Sequence, residues 1–216
     1  MDRASSGFVQ DESYAGHFGT YRHLLKRLLD HDPAMFELPP DALIADIGCG
    51  YGDLLGVLRQ RGYSRLLGVE PDAQCRKAAQ EGGFDVRSGT LTDTSLADES
   101  VDAVIVNQVF HHVDDYGAAL SEVRRILKPD GLLCFFEPLG TLTRRGMDFL
   151  TFRTPLRRIA RPVEIRYRVM ILEIETGLYP KWLAEQKTFH QELERRFERI
   201  WWKRGWFFQF GKYRRK

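Results

Sequence analysis

Five short apolar runs alternate with longer amphipathic stretches between Ala42 and Glu137, and this alternation constrains the fold more than any other feature of the chain. The runs are Leu43–Ile47, Leu66–Glu70, Phe84–Arg87, Val101–Asn107 and Leu132–Glu137. They are rich in Val, Ile, Leu and Phe and mostly unbroken by polar residues, as strands covered on both faces of a parallel sheet are. The segments between them read as helices. Leu54, Leu55, Val57 and Leu58 line one face of the first, and Ala119, Leu120, Val123, Ile126 and Leu127 line the last. The last opens at Asp114-Asp115 and ends before Pro129-Asp130-Gly131, an acidic start and a breaker at the end. Alternation of this kind predicts an α/β fold with a doubly wound, mostly parallel sheet.

The first run carries Asp46 near its end and leads into Gly48-Cys49-Gly50-Tyr51-Gly52 ahead of a helix. Glycines at such a turn let the backbone bend sharply and let a ligand approach with no Cβ in the way. Glu70 closes the second run 20 positions after Gly50, where a dinucleotide fold places the acid that holds ribose hydroxyls. A carboxylate suits that task because it accepts two hydroxyl hydrogen bonds. The dinucleotide fingerprint G-x-G-x-x-G sets a pyrophosphate on the helix N-terminus. Here the third glycine comes one position early, Asp53 stands where it belongs, and Asp46 and Asp53 are poor company for a pyrophosphate. An acid at Asp46 suits a ligand with a cationic amino group. That points away from NAD and towards S-adenosylmethionine, which carries an ammonium and a sulfonium.

With these residues the chain resembles the class I S-adenosylmethionine-dependent methyltransferases, especially the small-molecule group, over roughly Ala42 to Pro138. Asp-Ile-Gly-Cys-Gly-Tyr-Gly fits the family's first motif and Gly68-Val69-Glu70-Pro71-Asp72 its second. Asp98-Glu99-Ser100-Val101-Asp102-Ala103-Val104 leads into the fourth strand, and Leu127-Lys128-Pro129-Asp130-Gly131 precedes the fifth. The resemblance implies a Rossmann-like sheet of seven strands closed by a C-terminal antiparallel hairpin and covered by an N-terminal helical lid. It implies that Asp46, Gly48, Cys49 and Gly50 surround the methionine part of the cofactor, with Glu70 and Pro71 at the ribose. Asp72, just after Pro71, also reads as a helix cap. Where the family often has an acid reaching the adenine, this chain has Gly89-Thr90-Leu91, so Thr90 or a backbone group takes that contact.

The fourth strand ends in Asn107-Gln108-Val109-Phe110-His111-His112-Val113, and Asn107 and Gln108 are expected at the cofactor. Ligands in open α/β sheets lie outside the carboxyl ends of the strands, so this loop borders the reacting methyl. A histidine is tuned to remove a proton near neutral pH. His112 is the candidate base, or acceptor-orienting group, with His111 as its substitute; the plainer alternative is that His112 packs the loop. Glu137 either hydrogen bonds an acceptor or anchors the loop after its strand. The absence of an Asn-Pro-Pro-Tyr-type stretch argues against exocyclic base nitrogens as acceptors. Tyr14, on a helix read over Tyr14–Leu29, matches a place where related enzymes put an aromatic near the cofactor; core packing is the alternative.

The net charge of +2 conceals an asymmetry. Thr141 to Lys216 carries 19 Lys/Arg against 8 Asp/Glu, while Met1 to Gly140 is acidic. The stretch from Arg144 to Arg168 is expected to form part of the acceptor pocket, with Arg153, Arg157, Arg158 and Arg161 able to hold a carboxylate or phosphate. Lys181–Arg199 reads as a charged helix. The aromatic and basic end, Ile200 to Lys216, admits three readings: a hairpin closing the sheet, a membrane-surface patch, or a nucleic-acid contact. The last is least favoured, since no RNA-binding module is recognisable. Boundaries are expected at 1–40 for the cap, 41–139 for the cofactor core, 140–199 for the acceptor region and 200–216 for the hairpin. Cys49, Cys75 and Cys134 suggest neither a disulfide framework nor a zinc site, which fits a cytoplasmic setting. The leading expectation is a small-molecule methyltransferase converting S-adenosylmethionine to S-adenosylhomocysteine. A non-catalytic S-adenosylmethionine-binding protein and a nucleotide-dependent oxidoreductase are the alternatives.

Overall fold

The computed structural model describes residues 33–216, with the side chains of Arg157, Ile165, Val169, Leu172, Glu173 and Glu175 left aside. The helix read over Tyr14–Leu29, with Tyr14, lies outside the described residues. In chain order the elements are β1 (Ile44–Ile47), α1 (Asp53–Gln60), β2 (Leu66–Val69), α2 (Ala73–Glu81), β3 (Asp85–Arg87), β4 (Val101–Asn107), α3 (Tyr116–Ile126) and β5 (Leu127–Pro138). There follow α4 (Leu142–Arg153), α5 (Arg161–Glu175), α6 (Leu178–Arg196), β6 (Phe197–Arg204) and β7 (Phe208–Arg215). Short 3-10 turns occupy Pro33–Phe36, Phe110–His112 and Pro155–Arg158.

The strands form one sheet in the order β3-β2-β1-β4-β5-β7-β6. β1 to β5 run parallel, and β7 is antiparallel to both of its neighbours. This is the Rossmann-like sheet of seven strands with its closing hairpin. The strand order reverses between β1 and β4, and the crevice outside their carboxyl ends is where such sheets receive a ligand. Successive residues of the central strands point to opposite faces. Val104, Val106, Leu133 and Phe135 face Leu120, Val123, Trp182, Phe189 and Leu193 of α3 and α6. Ala103, Ile105, Cys134 and Phe136 face Leu54, Val57 and Leu58 of α1 and the Met35–Phe36 turn. Both faces are covered, which explains the near-continuous apolar runs.

Three boundaries differ from the sequence reading. Residues 88–100 form no helix between β3 and β4; Ser95 and Glu99 adopt positive φ there, and Thr94 is held by Glu122 through its N–H (2.8 Å) and its hydroxyl (2.5 Å). β5 begins at Leu127 rather than Leu132, because β4–β5 pairing resumes across a bulge containing Lys128–Gly131, with Asp130 at φ 60°. The hairpin begins at Phe197, three residues early, and α6 ends correspondingly at Arg196. Of the hairpin's aromatics, Phe197, Phe210 and Tyr213 are buried in the core, so closing the sheet is the hairpin's structural task.

Gly211 pairs with Phe135 across β7 and β5, and the Phe135 ring lies directly over it. An added Cβ would meet Phe135 Cε1 at 2.4 Å. Gly211→Ala is therefore expected to cost about 1–3 kcal/mol through overpacking. Gly146, within α4, has no atom near its missing Cβ, and Gly146→Ala should stabilise by about 0.5–1 kcal/mol. Urea denaturation of both variants checks the opposite signs; equal effects would contradict this account of the sheet.

Candidate active site

The turn after β1 is built from glycines because its backbone requires them. Gly48, Gly50 and Gly52 have φ of 75°, 52° and 81°, the left-handed region that side chains with a Cβ adopt at a cost. The N–H groups of Gly48 and Cys49 both donate to the Val69 carbonyl, at 2.7 and 3.2 Å, which ties the turn to the end of β2. The Cys49 side chain turns into a small cluster with Leu55 and Val86, where burial pushes its thiol pKa up. A Cβ at Gly50, by contrast, would meet nothing within 4 Å. The turn thus presents bare backbone to open space.

Two carboxylates flank that space. Glu70 accepts from the Gly50 N–H through Oε2 and from the Asp72 N–H through Oε1, both at 2.9 Å. Burial raises its pKa, and those two hydrogen bonds oppose the rise. Each oxygen keeps a second lone pair for a ligand hydroxyl. Asp72 caps α2 by accepting from the Gln74 and Cys75 N–H groups, as its place after Pro71 suggested; Pro71 itself is exposed. Asp46 is fully buried near the end of β1, and neither of its carboxylate oxygens has a hydrogen-bond partner among the described residues. Burial first, and then the charge of Glu70, hold its pKa up at about 8. A buried acid without a partner is costly. A cationic donor arriving in the adjacent space would relieve that cost, and an ammonium over Asp46 with a ribose over Glu70 fits this donor set.

The loop after β4 is organised by Glu137 at the end of β5. Its Oε1 accepts from the Val109 and Phe110 N–H groups, both at 2.7 Å. Its Oε2 lies 2.7 Å from Nδ1 of His111, and both side chains are buried. The His111 ring packs on His112, with centroids 4.0 Å apart, and edge-on against Tyr179 at 5.7 Å. His112 is half-buried. Gln108 takes a positive φ of 57°, with its N–H on the Phe136 carbonyl, and marks where the chain leaves β4 after Asn107. Buried Arg144 of α4 reaches the Tyr179 hydroxyl and, at 2.9 Å, the Phe207 carbonyl.

The structure thus brings Asp46, Gly48, Gly50, Glu70, Asn107, Gln108, His111, His112 and Glu137 to one edge of the sheet. Leu91 is buried in the core, and exposed Thr90 shares its hydroxyl with Thr92 and the Asp93 N–H. Arg153 is exposed at the end of α4, and the Arg157 side chain is not among those described. Tyr179 and Arg144 were missed as individual site residues. Their only sequence signal was the basic stretch after β5, which does not say which arginine turns inward.

Residues 45–135 match the protein family described as "Methyltransferase domain". Over 137 residues the chain is 31% identical to a ubiquinone biosynthesis O-methyltransferase from Azorhizobium caulinodans, covering 61% of this chain and 52% of that protein. It is 27% identical over 130 residues to malonyl-[acyl-carrier protein] O-methyltransferase from Calditerrivibrio nitroreducens, covering 56% and 51%. The chain thus spans about half the length of these curated relatives. Its fold is shared by a Thermotoga maritima S-adenosylmethionine-dependent methyltransferase, possibly a histamine N-methyltransferase, with TM-score 0.62, 19% identity and coverage of 94% and 96%. It is shared also by geranyl diphosphate C-methyltransferase from Streptomyces coelicolor, with TM-score 0.61, 17% identity and coverage of 100% and 88%.

The Asp46 carboxyl has a measurable consequence without any ligand. Its pKa rises from 3.8 to about 8 on folding, so the folded chain holds this proton more tightly than the unfolded chain. Stability from that proton is fully present below the unfolded pKa and is lost as pH rises to the folded one. Wild-type stability should therefore fall, relative to Asp46→Asn, between pH 3.8 and about 8. Urea unfolding of both proteins across this window reads the difference. Parallel curves throughout would mean that Asp46 is solvated or paired.

Proposed function

We propose that the chain is a class I S-adenosylmethionine-dependent methyltransferase that transfers a methyl group from S-adenosylmethionine to a small, anionic acceptor, a reading supported by the match of residues 45–135 to the methyltransferase domain family. The observation that carries the cofactor half is the unpartnered, buried carboxylate of Asp46 beside the open backbone of Gly50 and the presented carboxylate of Glu70. Asp46 receives the amino group and Glu70 the ribose hydroxyls, while Gly50 lets the ligand lie against the backbone. The chemistry supplied by the bound cofactor is an electrophilic methyl on a sulfonium, released with S-adenosylhomocysteine as the other product.

The acceptor lies on the side of the His111–His112 loop, Tyr179 and α4. Glu137 is a positioning residue: with both oxygens committed to the loop, it acts through His111. A carboxylate on Nδ1 fixes the ring with Nε2 as the basic nitrogen. His112, half-buried on the same turn, is the base or orienting group for the acceptor proton, with His111 behind it. Arg144, held on the Tyr179 hydroxyl, sets a positive charge near the His111 ring and favours an acceptor with a carboxylate or phosphate.

Two variants divide these roles. Glu70→Ala removes charge-assisted hydrogen bonds worth roughly 1.5–3 kcal/mol, so S-adenosylhomocysteine affinity should fall about tenfold to a hundredfold by calorimetric titration. Unchanged affinity refutes the ribose assignment. His112→Ala should lower turnover about a hundredfold or more while leaving that affinity nearly intact. An equal fall in binding and rate makes His112 a packing residue. Tight binding of S-adenosylhomocysteine with no methylation across a wide acceptor panel favours a non-catalytic binding protein instead.

A further inference from the structure

Helix α4 turns large apolar side chains to the outside. Its inward side mixes polar and apolar groups: Arg144 and Thr151 are buried, half-buried Asp148 is paired with Arg166, and half-buried Phe152 packs on Tyr167. Its outward stripe runs Leu142, Arg145, Gly146, Phe149, Leu150 and Arg153, the spacing of one helical face, and all six are exposed. Leu142 is 84%, Phe149 60% and Leu150 41% accessible. Trp206, 76% accessible at the tip of the β6–β7 hairpin, lies against the first turn of this helix. Its carbonyl accepts from the hydroxyls of Thr141 and Thr143. Lys203 and Arg204 are exposed just before it. The face therefore combines large apolar side chains with cations and, among the described residues, carries no acid.

Its place matters as much as its chemistry. Phe208 pairs with Pro138, so the hairpin tip stands at the carboxyl end of β5, next to Glu137 and the His111 loop. From its inward side α4 also sends Arg144 to Tyr179, against the His111 ring.

We infer that this face docks on an anionic lipid bilayer. Leu142, Phe149, Leu150 and Trp206 enter the boundary between headgroups and chains, and Arg145, Arg153 and Arg204 meet the lipid phosphates. Charge complementarity selects this occupant over a second copy of the chain. A two-fold pairing would set these cations against themselves, and like charges across an interface are disfavoured. Resting on the methyl-transfer reading, the consequence is that the acceptor side of the site opens next to the bilayer and takes an amphipathic acceptor from it.

Sedimentation of the full chain with vesicles of phosphatidylcholine, with and without phosphatidylglycerol, tests the docking. Partition should need phosphatidylglycerol, weaken with salt, and fall about tenfold or more in Arg145→Gln/Arg153→Gln. Phe149→Glu should remove it while S-adenosylhomocysteine affinity, read by calorimetry, stays unchanged. Vesicle binding without S-adenosylhomocysteine binding would sink the methyl-transfer reading and leave the surface standing. A protein that ignores both vesicle types overturns the inference. So does partition untouched by Phe149→Glu, or a solution dimer that Phe149→Glu splits.

Discussion

The working edge of this sheet depends on one close approach, between Gly48 in the turn after β1 and Val109 in the loop after β4. A Cβ on Gly48 would sit 2.4 Å from Val109 Cγ2, so the two loops touch only because that carbon is missing. Val109 is in turn held by Glu137, whose carboxylate gathers two backbone N–H groups and the His111 ring. The first loop is pinned to β2 through the Val69 carbonyl. Four strand ends, those of β1, β2, β4 and β5, are thereby locked into one surface.

That surface holds two buried acids in a way a stable apo protein would avoid. Asp46 is buried without a hydrogen-bond partner, and Glu70 nearby raises the cost of ionising it. Hydrogen bonds to the Gly50 and Asp72 backbones keep Glu70 in place despite its burial. Strain of this kind concentrates where a ligand completes the structure. A ligand with one cationic amino group and a pair of vicinal hydroxyls satisfies both acids together. A pyrophosphate would meet two like charges.

Much of this arrangement was legible in advance, for identifiable reasons. The strands were readable because burial on both faces leaves almost no polar residue in them. The Asp46 and Glu70 positions followed from the short, tight turn after β1, whose geometry requires glycines in order. Asp72 announced itself as a cap because Pro71 precedes it and a helix follows. The misreadings share a cause. Leu127–Gly131 looked like a break because Pro129 and Gly131 are breakers, yet a bulge absorbs them and the strand continues. The stretch 88–100 reads as a helix in the sequence only because helices connect the other strands. Here the side chain of Glu122 does the ordering, from far along the chain.

The sequence by itself determined the alternation of strands and helices, the glycine turn and the acids that flank it, since each follows from local periodicity or local backbone conformation. Tertiary structure alone decided which of two adjacent histidines Glu137 holds and which of many arginines turns inward to Tyr179. It also decided that α4 shows its apolar residues to the outside. Those outcomes turn on contacts between residues tens of positions apart, such as Glu137 with His111 and Arg144 with Tyr179, and no local pattern encodes which partner will be nearest. Trp182 makes the same point: its indole N–H on the Pro138 carbonyl, at 2.8 Å, seats α6 at the end of β5 and brings Tyr179 to the site. In the sequence it is simply one more aromatic on a helix.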